Sequence, residues 1–509
     1  MLAKSSSSPK QPQSGLFPLP ALLTPPLVSA RAGGGSDGSG GGGVGGKIPG
    51  TDGKVFSNGC TSGDCGSGTD GRCLPAPFRT TASRSWGVWS WICLTVIVVA
   101  ASYADLSRFV NPAGEKYMPG YASSGQVDFG QPYVGARALL AHENPYTTAV
   151  PEFAHPAFGP EDIDGQKYRQ LYPPTHMLTY VPLALIFGAD VVAAGRLMFY
   201  ASLVFLVLLG LLVWRLLLRV RGEPVSFLFV FPATLAIATS SACQLGLERG
   251  QSDILIALLC WTAMLLMLKR WAAVAMFLAV WMAAMKAYPA LFVASLGVAA
   301  LRSRVWRRAI AGAAVSLAVF VLPVARYLPY GMKGTLHRSG WFALVWFNHG
   351  FKHVVYRMIS PGAADTGRLV LVGVSLLVAA LWAWRVWQRR RDLCAPDGVL
   401  AVVMSGTSAL LTAIGANAAS HSYNLVVVLP AVLLLAAGHD RISSRLALSR
   451  LAAHVLGAAV AVSGWALFAG RGPNDFPLAG LGLVLLLGIL AALGVKMGPR
   501  ATSTTRTPA

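Results

Sequence analysis

Asp128, Lys286 and His421 each stand beside an apolar stretch, where an ionisable side chain is costly and so carries information. After Asp128, apolar residues recur at Phe129, Tyr133, Ala136 and Leu140, the spacing of an amphipathic helix that Asn144-Pro145-Tyr146 would stop. Asp128 therefore falls at the amino end of that helix. A carboxylate there can cap it by accepting free backbone N–H groups. It can equally be held ionised by the helix dipole and take a proton from a substrate. The local pattern leaves both readings open and leans to the cap. Lys286 interrupts Met282-Ala-Ala-Met-Lys286-Ala-Tyr288-Pro289 between two short apolar segments. An ammonium inside a membrane costs about 2.5–3.5 kcal/mol, so it either snorkels to the surface or faces an anion such as a lipid phosphate. His421 opens an apolar segment in Ser420-His421-Ser422-Tyr423-Asn424, as a polar cap or as a partner for a phosphate or sugar hydroxyl.

Weaker signals lie around these three. Gln251 and Asp253 follow Glu248-Arg249-Gly250 and begin an apolar segment, with Glu248 read as part of a solvated hairpin. Tyr172-Pro173-Pro174 sets an extended approach to a helix. Asn348 follows an aromatic run from Trp341, and Lys352, His353 and Arg357 come next, a set able to line a cleft. Cys60, Cys65 and Cys73 do not have the spacing of a common zinc site, and no ligand cluster calls for a metal or cofactor.

The elements that would position these groups are membrane helices. Hydrophobic residues make up 54% of the 509 and charged residues only 12%, half the share usual in soluble domains, which excludes an ordinary globular enzyme. Twelve apolar segments read as spans: 86–109, 190–213, 225–245, 252–268, 271–285, 287–301, 309–328, 367–384, 398–416, 422–437, 451–469 and 478–495. Segment 172–187 is apolar too, but Pro173, Pro174 and Pro182 make it an interfacial or re-entrant helix. The expected fold is thus an all-α integral membrane protein of about twelve spans, residues 86–497. It lies between a Gly/Ser-rich tail at 1–85, too polar to fold, and a short tail at 498–509.

The net charge of +21 need not mean nucleic acid. Basic residues recur in alternate connections: Arg215, Arg219 and Arg221; Lys269 and Arg270; Arg302, Arg304, Arg307 and Arg308; Arg385 and Arg389; Arg441, Arg445 and Arg450; Lys496 and Arg500. That pattern marks the cytoplasmic side, so both termini are expected inside. Segments 110–189 and 329–366, with Asp128, Tyr172, Asn348 and Arg357, fall outside, as do the junctions at Gln251, Lys286 and His421.

Asp128, Asn144-Pro145-Tyr146, Tyr172-Pro173-Pro174, Gly250-Gln251, Lys286-Ala-Tyr288-Pro289 and Ser420-His421-Ser422-Tyr423 occur in that order. This series resembles glycosyltransferase family 87, multi-spanning enzymes of the C-type fold. The resemblance implies transfer of a hexose, often mannose, from a polyprenyl-phosphate carrier to a glycolipid or glycan acceptor on the outer face of a bacterial plasma membrane. It implies Asp128 as the family's catalytic Asp, with Lys286, His421 and Gln251 at matching family positions. Asp253 stands where the family frequently has Asn. Asn348-His349-Gly350-Phe351 is similar to the family's Asn-Gln-Ser-Leu but departs from it, which bears on the acceptor. Tyr172 and Arg357 complete the expected substrate-binding set.

The chemistry suits these residue types. A carboxylate takes the proton of a sugar hydroxyl as it attacks, and cationic groups hold the departing phosphate. The rival classes are a transporter or flippase, which would share the spans and the buried lysine, and a lipid-linked glycan ligase or polymerase, which would place its Arg and His in a large outer loop. Internal repeats common in transporters are not evident.

A chain beginning near residue 80 and retaining Arg84 should insert and turn over donor as the full chain does. Membrane insertion and transfer assays on both chains check it, and loss of turnover with normal insertion would assign the tail a role.

Overall fold

The structure is a computed structural model, and it describes residues 87–103, 127–146, 172–331, 350–388, 393–417, 422–445, 448–469 and 482–490. The two expected tails, the acidic turn at 161–164, Asn348 and His421 lie outside the described residues. The described residues are mostly helix, joined by turns, bends and short irregular stretches, with no strand among them.

The helices are α1 (Val88–Tyr103), α2 (Val127–Leu140), α3 (Pro174–Thr179), α4 (Val181–Phe187) and α5 (Val191–Arg221). Then come α6 (Val230–Thr239), α7 (Ser241–Arg249), α8 (Asp253–Leu268), α9 (Ala272–Met285), α10 (Ala290–Arg302) and α11 (Trp306–Phe320). The last are α12 (Phe351–Met358), α13 (Ala364–Gln388), α14 (Pro396–Ala416), α15 (Leu429–Arg445) and α16 (Arg450–Ala469). A further helical stretch covers 482–490.

Each of the twelve expected segments is largely helical where it is described, but twelve full spans are not confirmed among the described residues. Among the described residues, five helices are long and apolar enough to cross a membrane: Ala193–Arg221, α13, α14, Asn424–Ser444 and α16. The number rises to seven if two bent pairs each count once. One pair, Phe227–Thr239 with Ser241–Leu247, bends by 68°, and the other, Trp306–Phe320 with Leu322–Gly331, by 51°. Helices α8, α9 and α10 have 16, 14 and 13 residues. At 1.5 Å per residue that is ~20–24 Å, short of the ~30 Å hydrocarbon core. Segment 172–187 forms two short helices, because Tyr180 ends α3 and Pro182 opens α4.

Local rules set the ends. Asp190 accepts the Ala193 N–H at 2.8 Å to start α5, and Gly222 at φ 69° stops it. Ser240 accepts the Cys243 N–H at 3.2 Å and so starts α7 at the 68° bend. Packing then replaces the hydrophobic effect, which is absent between helices in lipid. At Gly312 of α11 an added Cβ would lie 1.9 Å from the Ala273 carbonyl oxygen, so only glycine lets α11 close on α9. Helix α14 and the Asn424–Ser444 span are the interior pair, and Trp261 of α8 donates to the Val427 carbonyl at 2.9 Å. Helix α5 and helix α13 turn apolar side chains such as Val204, Leu369 and Leu377 outward.

Successive helices carry the basic turns away from one end. Helix α8 runs from Asp253 to Lys269-Arg270, α9 returns to Lys286, and α10 leaves for Arg302 and Arg304. At the basic end a charged network ties α1, α5 and α15 together. Arg221 donates to Asp440 Oδ1 at 2.9 Å, to Glu223 Oε1 at 2.6 Å and to the Ala437 carbonyl at 2.7 Å. Ser90 donates to Asp440 at 2.8 Å, and Arg441 pairs with Glu223. Burial pushes the Glu223 carboxyl up, but hydrogen bonds and charge from Arg441 and Arg221 outweigh it and hold the group below its ordinary value of 4.5.

Arg221 is buried between two carboxylates, so Arg221→Met should cost about 3 kcal/mol, the scale of a broken buried ion pair, and lower the melting temperature in detergent. Because Glu223's folded carboxyl titrates lower than its unfolded one, its contribution is full at neutral pH. It should fade as pH falls below about 4.5 in the wild type, with a smaller acid loss in Glu223→Gln.

Candidate active site

Four chain segments meet at the opposite end of the bundle: the first turn of α2, the start of α3, the turn between α7 and α8, and the break between α9 and α10. Each is placed by a backbone rule. Asp128 lies in the first turn of α2. Pro132 sits further inside α2 than a helix start, and it has no N–H to donate back to the Asp128 carbonyl. Gly250, at φ 65°, ends α7 and lets the chain restart as α8 only three residues later. That turn brings Arg249, Gln251 and Asp253 together. Helix α9 ends at Met285, and Lys286 is extended at φ −140° and ψ 139° ahead of Tyr288-Pro289.

The polar side chains form one connected path. Arg249 forks onto Asp128, its Nε on Oδ2 and its Nη2 on Oδ1 at 3.0 Å. Gln251 donates from Nε2 to Asp128 Oδ2 at 2.5 Å and to the Tyr172 hydroxyl at 3.1 Å. The Gln251 carbonyl accepts from Lys286 Nζ at 2.8 Å. Lys286 also donates to Asp253 Oδ2 at 2.6 Å, and Tyr288 donates to Asp253 Oδ1 at 2.7 Å. Two acids and two bases balance, as buried charge requires.

Two of the Pro-containing motifs lock onto each other beside this path. Tyr146 donates its hydroxyl to the Tyr172 carbonyl at 2.7 Å, and its N–H donates to Asn144 Oδ1 at 3.1 Å. Burial pushes the Tyr146 phenol up, so it stays a donor. Pro173 is extended at ψ 152°, Pro174 opens α3, and Thr175 of α3 donates to the Ala284 carbonyl of α9. His176, one helical turn after Tyr172, packs edge-on against the Tyr172 ring at 4.7 Å and against Tyr180 at 5.5 Å. Burial first, and the Lys286 charge second, hold its imidazole well below the ordinary range, so it is neutral.

Of the residues expected from the sequence, Asp128, Tyr172, Gln251 and Lys286 come together in this cluster. Arg357 lies on α12, which packs along α13 where Lys352 meets Asp365 at 2.7 Å. Asn348 and His421 are outside the described residues. Sequence reading passed over Arg249, Tyr288 and His176 as site residues and gave Asp253 no partner. The signals were spacing: Arg249 two residues before Gln251 across a glycine, and His176 four after Tyr172. Among the described residues, no group of three or more His, Cys, Asp or Glu side chains is placed to hold a metal ion.

Long apolar helices carrying a charged, largely buried cluster at one end define the class, a polytopic membrane protein with a polar site at the bundle's edge. Residues 171–413 match the model of glycosyltransferase family 87, a family of membrane glycosyltransferases. The match contains Tyr172, Arg249, Gln251, Asp253 and Lys286. Asp128 precedes it and His421 follows it. No curated protein and no solved structure matches the chain.

Asp253 is wholly buried and answers the charge of Lys286. Asp253→Ala should therefore cost about 3–5 kcal/mol, because it leaves a buried ammonium without its carboxylate. A large drop in melting temperature in detergent is the expected reading. Asp253→Ala combined with Lys286→Met should recover part of it.

Proposed function

We propose that this chain is a glycosyltransferase that moves a hexose, mannose in the first instance, from a polyprenyl-phosphate carrier to a glycolipid or glycan acceptor. The reaction takes place on the outer face of a bacterial plasma membrane, with both termini inside. The observation that supports this reading best is the unbroken path Asp128–Gln251–Lys286–Asp253, assembled from three distant segments at the end away from the basic turns. With Arg249 it gathers two carboxylates and two cations in a largely buried setting, which suits a reaction between a hydroxyl and a phosphate ester.

In this reading Asp128 is the general base. The acceptor hydroxyl oxygen attacks the anomeric carbon and gives its proton to the Asp128 carboxylate. The bond from that carbon to the carrier phosphate breaks, and its electron pair leaves on the phosphate oxygen. A single attack inverts the anomeric carbon. The leaving phosphate is already a stable anion and needs positive partners, not a protonating acid. Lys286 supplies one, held in place by Asp253 and Gln251. Tyr172 and Gln251 align the base, and His421, Asn348 and Arg357 hold donor or acceptor from the outer segments. The scheme calls for no metal or cofactor.

Asp128→Asn separates a base from a cap. Asn accepts the same backbone bonds but takes no proton. The variant should express and fold, melt somewhat lower because the Arg249 ion pair is lost, retain the donor, and lose about 10²–10⁴-fold in transfer of radiolabelled mannose from polyprenyl-phosphate-mannose. Near wild-type transfer would remove Asp128 from the role. Failure of the wild type to transfer from this donor would remove the donor class.

A further inference from the structure

The two ion pairs of the cluster are not alike. Asp253 is 0% exposed and Lys286 12%, and Asp253 is also bound by the Tyr288 hydroxyl at 2.7 Å. Pulling Lys286 away would strand a carboxylate with no access to water, so this pair is fixed. In the other pair, Asp128 is 8% exposed but Arg249 is 29%, the most accessible charged group of the four. Arg249 is the last residue of α7, directly before Gly250, so its backbone anchor is a helix end and not a helix interior. If its guanidinium leaves, Asp128 keeps the Gln251 amide at 2.5 Å.

This arrangement also bears on catalysis. A carboxylate gripped by a guanidinium on both oxygens is a weakened base, and its oxygens face the arginine and not a hydroxyl. The planar fork that grips a carboxylate matches a phosphate equally well, and a phosphate offers it more oxygens and more charge.

We infer that Arg249 is an exchanging clamp: it masks Asp128 in the empty enzyme and moves to the carrier phosphate when the lipid-linked donor binds, which frees the Asp128 carboxylate for the acceptor hydroxyl. The inference rests on the proposed donor class and on Asp128 as base, and it adds a positioning residue and an order of events. The base becomes competent only with donor in place, so acceptor hydroxyls and water meet a masked carboxylate in the empty site. Lys286 stays with Asp253 throughout.

The exchange makes Asp128 and the phosphate competitors for one guanidinium. It follows that a variant unable to turn over should hold the carrier more tightly. The test is binding, not activity: purified full-length protein in detergent is titrated with sugar-free polyprenyl phosphate, and its melting temperature is recorded in parallel. Asp128→Asn should tighten binding about tenfold, within the usual range for coupled sites. Arg249→Gln should weaken it about tenfold or more. In the double variant Asp128→Asn/Arg249→Gln the tightening should vanish, because no clamp remains to be released.

Unchanged or weaker binding by a folded Asp128→Asn variant overturns the inference and leaves Asp128 as base untouched. Tightening that persists without Arg249 also overturns it, since the gain would then come from removing a negative charge near the phosphate. If the wild type does not bind polyprenyl phosphate, the donor class fails and the inference falls with it. If Arg249→Gln unfolds, Arg249→Lys serves in its place: a single ammonium cannot reproduce the fork, and binding should still weaken while tightening by Asp128→Asn shrinks.

Discussion

A charge can stay inside an apolar bundle only beside its opposite, and the Lys286–Asp253 pair sets the plan of this site. Asp253 opens α8 and Lys286 closes α9, so the pair pins two neighbouring helix ends at one level. Tyr288 then fixes the start of α10 to the same carboxylate. Once those ends are held, the remaining Lys286 contact falls on Gln251, and Gln251 reaches Asp128 on a helix more than a hundred residues earlier. The position of Asp128 is thus inherited from a pair in which it takes no part.

The two ends of the bundle use the same residue types for different purposes. At the basic end, Arg221, Arg441, Asp440 and Glu223 cross-link α5 to α15, and Ser90 and the Gly87 backbone add α1. Arg221 there is almost wholly shielded, with acceptors on several sides and no room to move. At the other end the arginine is the exposed member of its pair. One network is sealed between helices, and the other leaves a charged group within reach of solvent.

Much of this was legible in the sequence because membrane helices announce themselves by composition and basic turns by alternation. Asp128, Lys286, Gln251 and Tyr172 stood out since each breaks an apolar or Pro-rich pattern. Span number was less legible: hydropathy marks an apolar run but not whether ~20 Å of helix crosses the bilayer, and α8, α9 and α10 show the gap. Arg249 was missed for a related reason. Its neighbours Glu248 and Gly250 look like an exposed hairpin, and only the tertiary approach of α2 gives it a carboxylate. His176 was hidden by the prolines before it, which read as backbone punctuation while the burial of the next turn decided its state.

The shortness of α9 and α10 has a consequence for the surrounding lipid. A hydrocarbon layer of about 30 Å that meets two adjacent helices of about 20 Å thins beside them or lets polar groups sink. Their site-side ends carry Lys286 and the Tyr288-Pro289 break, so a depression of that kind would lie beside the cluster. A layer thinned there would let a lipid headgroup meet the polar groups without its tails being pulled into water.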